Sequence, residues 1–282
     1  MIDPDPAAVL TWIGRPSARR VAPRLCIVVA HPDDETALCG ARLGALAPRA
    51  IVTITDGAPR DPWFAQRAGV AGRAEYAALR ARELATALDV GGVDPRRAAT
   101  LALVDQEAAL ALAVAARVVA AIWERDPPDV VITHAYEGGH PDHDATAFAV
   151  AAAAQMVARP PTIVEGPLYH DGDGDGETTY GRFLPPPRPT PEIVAALDEE
   201  QRARKRRMLA AFRSQREVLA RLPLEVERFR IAPAYDFRRP PHPGRLHYER
   251  WGWPLTGARF CDLAAAALSE LGLSADGRAG AG

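Results

Sequence analysis

Lysine is almost missing from this chain: Lys205 is the only one among 34 lysine and arginine residues, which stand against 36 aspartates and glutamates. With a formal charge of -2, there is no basic surplus of the kind a general nucleic-acid surface needs. Cysteine is scarce as well. Cys26, Cys39 and Cys261 are too few and too far apart for a disulfide framework or a cysteine zinc ribbon, and Cys26 lies in an apolar run that reads as core. No apolar run reaches membrane-spanning length. The first twenty residues, with Pro4, Pro6, Arg15, Arg19 and Arg20, lack the continuous apolar segment of a secretion signal. A cytoplasmic protein without a membrane span is the expectation. Also missing is a glycine-rich phosphate turn after the first apolar run, which argues against a dinucleotide enzyme.

That first run leads instead into Ala30-His31-Pro32-Asp33-Asp34-Glu35, where an imidazole and three carboxylates crowd into five positions. The run itself, Leu25-Cys26-Ile27-Val28-Val29-Ala30, is β-branched without polar alternation and reads as a strand of a parallel sheet, buried on both faces. A second cluster, Gly138-Gly139-His140-Pro141-Asp142-His143-Asp144, comes after a second such run, Asp129-Val130-Val131-Ile132-Thr133. In parallel α/β sheets the ligand crevice lies beyond the carboxyl ends of the strands, so both clusters can face one crevice. Two imidazoles and one carboxylate from His31, Asp34 and His143 suit a catalytic zinc that keeps a position open for water. Taken singly, each cluster has a structural reading. Asp33 or Asp34 could cap the next helix, and His140 and His143 could be polar residues entering a helix Asp144 to Ala158. Two such clusters on two strand ends favour the metal centre.

The pairing of AHPDDE with HPDH resembles the PIG-L/LmbE-like zinc-dependent N-deacetylase family. The resemblance implies that His31, Asp34 and His143 bind zinc, that Asp33 is the general base, that His140 helps stabilise the oxyanion, and that Asp142 orients or charge-stabilises a histidine. Ile51-Val52-Thr53-Ile54-Thr55-Asp56-Gly57 resembles the family's second strand with its Thr-Asp-Gly turn. Arg80-Ala81-Arg82-Glu83 resembles its Arg-x-x-Glu helix, which implies that Arg80 reaches toward substrate. Lys205 with Ser214-Gln215 resembles a later helix. Members acting on mycothiol-type thiol precursors carry a tyrosine two residues before the first histidine of the second motif. Here that position is Gly138, and whether nearby Tyr136 replaces the tyrosine stays open.

The implied fold is a Rossmann-like doubly wound, mostly parallel sheet with helices on both faces. The implied reaction is removal of an N-acetyl or other N-acyl group from an amino sugar, its conjugate or a related small amide. Zinc is the expected cofactor, with iron(II) possible on the same donors. In that reaction Asp142 would raise the pKa of His140 and keep it cationic. Two other readings remain: a metal-dependent hydrolase of a carbamoyl group or ester, and a non-catalytic carbohydrate-binding protein. The spare carboxylate of Asp33 argues against the latter. The expected partner is a small-molecule N-acylated substrate, with no nucleic acid, no membrane span and a possible homo-oligomer.

At 282 residues and 48% hydrophobic, the chain can bury one sizeable core. One deacetylase domain over 1–273 is expected, with an aromatic-rich elaboration at 230–260 and a flexible tail at 274–282. Helices are expected over Ala71 to Leu88, Gln106 to Arg125, Asp144 to Ala158 and Pro191 to Ala220, the last with proline at its start. Strands are expected over Leu25 to Ala30, Ala50 to Thr55, Thr100 to Leu103, Asp129 to Thr133 and Thr162 to Tyr169. His170, at the end of the last of these strands, could line the crevice but reads more readily as a surface residue. Asp171-Gly172-Asp173-Gly174-Asp175-Gly176 lacks the glutamate of a calcium loop and reads as a flexible acidic loop, and Pro185-Pro186-Pro187 as a stiff passage beyond it. Tyr235, Phe237, His242, His247, Tyr248, Trp251 and Trp253 would form either a pocket wall for a sugar or other ring, or a satellite core or interface.

Overall fold

Strand β1 (Leu25–Val29) is buried at every position, as an all-apolar run demands. The computed structural model describes residues 5–16, 22–172, 177–186 and 188–273. The expected tail 274–282, residues 173–176 of the acidic loop and Pro187 lie outside the described residues. The other strands are β2 (Ala50–Thr55), β3 (Ala98–Leu103), β4 (Val130–His134), β5 (Thr162–Gly166), β6 (Tyr169–His170), β7 (Thr179–Tyr180), β8 (Glu192–Ala196) and β9 (Val226–Ile231). Seven of them form one sheet in the order β3-β2-β1-β4-β5-β9-β8, and β6 pairs with β7 in a separate ribbon. The first five are parallel, β9 joins β5 antiparallel, and β8 at the edge pairs antiparallel with β9.

Because side chains alternate along a strand, each central strand feeds two cores. Cys26, Val28, Val52 and Val131 pack on one face against helices Leu112–Arg125, Pro141–Met156 and Gly257–Leu271. Leu25, Ile27, Ile51, Val130 and Ile132 pack on the other against helices Pro6–Gly14, Asp34–Cys39 and Arg73–Gly91. The chain proceeds outward from β1 through β2 to β3, then returns to place β4 on the other side of β1. The strand order therefore reverses between β1 and β4, and the cleft at their carboxyl ends is where a ligand site is expected. Both motif loops leave from there.

Several expected elements are revised. Pro191 does not start a helix. Glu192–Ala196 forms β8 against β9, and the helix begins at Glu199, where Asp198 and Gln201 make a reciprocal capping box. The run Thr162 to Tyr169 ends as a sheet strand at Gly166, just before Pro167, and Tyr169 joins the second ribbon. The helix expected from Gln106 starts at Leu112, after a 3₁₀ turn over Ala108–Ala111. His170 is buried: its Nε2 lies 3.0 Å from the Arg182 carbonyl, and its Nδ1 accepts from the Gly172 N–H.

Lys205 is buried too. Its ammonium donates to the Ala37 carbonyl at 2.8 Å and to Glu227 at 3.0 Å, while Arg42 reaches the other Glu227 oxygen at 2.7 Å. One carboxylate thus serves two buried cations and ties helix Glu199–Leu209 to helix Asp34–Cys39, which carries the first motif. Glu227→Ala strands both cations, and is expected to lower stability by about 3–5 kcal/mol. The check is a fall in the denaturant midpoint at unchanged slope.

Candidate active site

The register between β1 and β4 pairs Ile27 with Ile132, which brings the Ala30–Glu35 turn beside His134 and the 138–144 loop. Asp34 occupies the middle. Its Oδ2 accepts the His31 backbone N–H at 2.7 Å and lies 3.2 Å from His31 Nδ1 and 3.3 Å from His134 Nε2. Its Oδ1 lies 3.5 Å from His143 Nε2. The expected donors His31, Asp34 and His143 are therefore gathered on one carboxylate, and all three are buried. The other side of the His31 ring is held by carboxylates: Nε2 is 3.2 Å from Asp142 Oδ2 and 3.2 Å from Asp105 Oδ1. A ligating histidine whose second nitrogen donates to a carboxylate is the usual arrangement around protein-bound metals.

The residues fit a divalent metal in donor chemistry and in charge. Donor atoms of His31, His140 and His143 lie within 4.8 Å of one another, as do those of Asp34, His134 and His143. Imidazole nitrogens with a carboxylate oxygen are ligands that zinc and iron(II) accept. Burial disfavours charge on His31, yet Asp105 and Asp34 override it and hold that ring well above the usual imidazole range. The surrounding field thus calls for positive charge at this spot, which a cation would supply.

Asp33 and Asp34 are neighbours with opposite fates. Burial pushes Asp33 up to about 7, against the opposing pull of Arg80. Asp34 is equally buried, but His143, His134 and His31 hold it well below the ordinary carboxylate range. Asp33 also adopts φ 151°, a strained conformation for a residue with a side chain. It stands at the N-cap of helix Asp34–Cys39 without making a side-chain cap, so the helix-cap reading fails for it. The third carboxylate of the motif is structural: Glu35 accepts the Asp33 N–H at 3.1 Å and the Thr36 hydroxyl at 2.5 Å.

Arg80 donates to the Pro32 carbonyl at 2.8 Å and to Asp33 Oδ2 at 2.9 Å. This buried guanidinium touches Asp33, where the resemblance had it reach toward substrate. Gly57 clears its path, since a Cβ there would meet Pro32 at 2.8 Å and the Arg80 guanidinium carbon at 3.1 Å. The helix bearing Arg80 is anchored by Glu83, which accepts from the Ser214 N–H and hydroxyl, and by Gln215, which donates to the Tyr76 hydroxyl.

His140 and Asp142 are not paired as expected. The Asp142 carboxylate receives the Gln106 N–H at 2.6 Å and the Ala108 N–H at 3.0 Å and turns to His31. His140 instead caps helix Pro141–Met156, its Nδ1 accepting the Asp142 N–H at 3.1 Å. Burial, with His31 and His143 nearby, holds His140 well below the imidazole range. A neutral ring accepting at Nδ1 carries its proton on Nε2, so His140 is a hydrogen-bond donor into the site and not a cation.

Tyr136 is no substitute for the family tyrosine. Its hydroxyl donates to the Arg239 carbonyl at 2.9 Å, and its ring packs on Tyr235, Phe237 and Phe260 in the core. Of the aromatic segment, Phe237 and Tyr248 are buried, while Trp253 stands against His140 and Trp251 is exposed. Sequence reasoning missed His134 and Asp105. His134 stacks on His143 with centroids 4.1 Å apart, and burial pushes it down to about 4. The rule that found the two motifs, polar residues just beyond a strand's carboxyl end, also covers His134 after Thr133 and Asp105 after β3.

The family model described as PIG-L, GlcNAc-PI de-N-acetylase, matches residues 26–154. No curated protein sequence matches the chain. Among solved structures, a deacetylase from teicoplanin biosynthesis is 20% identical with a TM-score of 0.59, over 73% of this chain and 96% of that one. The A40926 pseudoaglycone deacetylase is 20% identical with a TM-score of 0.58, over 75% and 97%. The N,N'-diacetylchitobiose deacetylase of Pyrococcus horikoshii is 17% identical with a TM-score of 0.53, over 80% and 91%. At these identities the structures speak for the fold. Both motif loops fall inside the segment that the family model matches, and over residues 26–154 the chain is similar to the PIG-L, GlcNAc-PI de-N-acetylase family.

Proposed function

We propose that this chain hydrolyses the N-acetyl, or another N-acyl, amide of an amino sugar, its conjugate or a related small amide. His31, Asp34 and His143 would hold zinc, or iron(II) on the same donors, and Asp33 would be the general base. The observation that carries the reading is the split between two adjacent carboxylates. Asp34 is held ionised among three imidazoles, while Asp33 is pushed toward neutrality beside it, as ligand and proton carrier require.

When bound, the metal supplies a Lewis acid and lowers the pKa of water toward neutral. Asp33 accepts the proton of the attacking water as the new C–O bond forms at the amide carbon. The His140 Nε2–H donates to the oxygen that gains charge. As the C–N bond breaks, Asp33 returns the proton to nitrogen, leaving an amine and a carboxylate. Asp142 and Asp105 orient His31. Arg80 fixes the Asp33 carboxylate and keeps it from rising further.

Arg80→Ala is therefore expected to leave metal content unchanged and to move the acid limb of the rate profile upward by about one pH unit or more. The sign comes from removing a cation beside an acid, since the carboxylate then ionises only at higher pH. Rate against pH, with metal measured on the same sample, checks it.

The test of the whole reading is elemental analysis combined with amine release from N-acetylated sugars and small amides. Near one zinc or iron per chain with amine release supports it. Stoichiometric metal with release only from carbamoyl or ester compounds moves the activity to another bond, and no metal after reconstitution overturns it.

A further inference from the structure

Strand β4 ends on two residues that face opposite ways. His134 turns to Asp34, and Thr133 turns to the face on which Val131 packs. On that second face a cleft of about 560 Å³ opens between helix Pro141–Met156, the ends of β4 and β5, and the stretch after β9. Its walls are apolar: Phe148, Ala151 and Ala154 from the helix, Ile163 from β5, Pro233 and Phe237 from the far side. Its deepest side chains are polar. The sheet register places Glu165 beside Thr133, so both meet the same face, and they are only 1% and 2% exposed. Gln155 joins them from the helix.

These polar groups are unequally served. The Glu165 carboxylate accepts from Arg230 Nε at 2.5 Å and from the Tyr235 hydroxyl at 2.7 Å, so its charge is matched inside the protein. The Thr133 hydroxyl and Gln155 Oε1 have no hydrogen-bond partner among the described residues. Buried polar atoms without partners are rare and costly, and two in one cleft ask for something that fills it. Water on the hydroxyl leaves the apolar walls wet. A protein surface laid across the mouth leaves the buried hydroxyl unserved. A small molecule with an apolar body and one neutral hydrogen-bonding end serves both, and a cleft of this size suits one. A charged end would lose its hydration beside a carboxylate that is already paired.

We infer that this cleft is a second ligand site, apart from the metal centre, and that it takes an uncharged amphiphile: a hydrocarbon body whose terminal hydroxyl meets Thr133 and Gln155. The hydroxyl of such a ligand donates to Gln155 Oε1 and accepts from the Thr133 hydroxyl. The site stands whether or not the metal centre cleaves amides.

The test is calorimetry with 1-octanol on the metal-loaded protein, beside octanoate and octylammonium at neutral pH. Wild type is expected to bind 1-octanol saturably, and about tenfold or more tighter than either ion. Thr133→Val keeps the shape and drops the hydroxyl. It should weaken 1-octanol about tenfold and leave the thermal midpoint of the free protein no lower than wild type, because the group removed had no partner. Ala154→Trp, at the partly buried rim, should fill the cleft and abolish binding. No saturable binding, binding of either ion as tight as that of 1-octanol, unchanged affinity in either variant, or a destabilised Thr133→Val overturns the inference. So does a dimer, seen by sedimentation, that Ala154→Trp dissociates, since a second copy then covers the cleft.

Discussion

Asp33→Asn is expected to retain about one metal ion per chain and to lose turnover by about 10²–10⁴-fold, the range general acid–base catalysis contributes. Asparagine has nearly the same shape, can accept the hydrogen bond from Arg80, and tolerates unusual backbone angles better than most residues. What it cannot do is take and return a proton. Asp33 is absent from the clusters whose donor atoms converge, so metal content should not track the rate. Elemental analysis and kcat on one preparation decide the matter: full turnover removes Asp33 as the base, and parallel loss of metal makes it a ligand.

Asp34→Ala is expected to abolish metal retention, and activity with it. Its carboxylate is the point on which His31, His134 and His143 converge, and without it the three rings lose their shared anionic donor, with Asp105 and Asp142 left only on the far side of His31. The affinity, read by competition with a chromophoric chelator, should fall below detection in Asp34→Ala. It should fall about 10–100-fold in Asp142→Asn, where only the partner of the His31 ring is weakened. His140→Ala should cost rate far more than affinity, and equal losses would make His140 a ligand. Chelation of the wild type, then zinc readdition, separates lost metal from lost folding, because Asp34 also accepts the His31 backbone N–H.

β1, β2 and β4 were legible within a residue because their apolar runs are buried and need no partner to be recognised, whereas the more exposed β3 was read two residues short and β5 three residues too long. β8 was not legible. Glu192-Ile193-Val194-Ala195-Ala196 has a mixed burial pattern, and its strand character comes from pairing with β9, more than thirty residues on. His31, Asp33, Asp34, His140 and His143 stood out because their motifs are dense in charge and attached to strand ends. Which histidine Asp142 faces was not legible. It is decided by the Gln106 and Ala108 N–H groups, which arrive from beyond β3 and turn the carboxylate away from its sequence neighbour.

Local composition and spacing were enough to single out the two motif loops, the inner parallel strands and the resemblance that the family model matches over residues 26–154. Packing in three dimensions was needed for the rest: that Arg80 grips Asp33, that Asp105 and Asp142 share the His31 ring, that Tyr136 belongs to the core, and that Trp253 stands over His140. Those pairings join residues tens to more than a hundred positions apart, through buried polar groups that must find partners wherever the packed elements offer them.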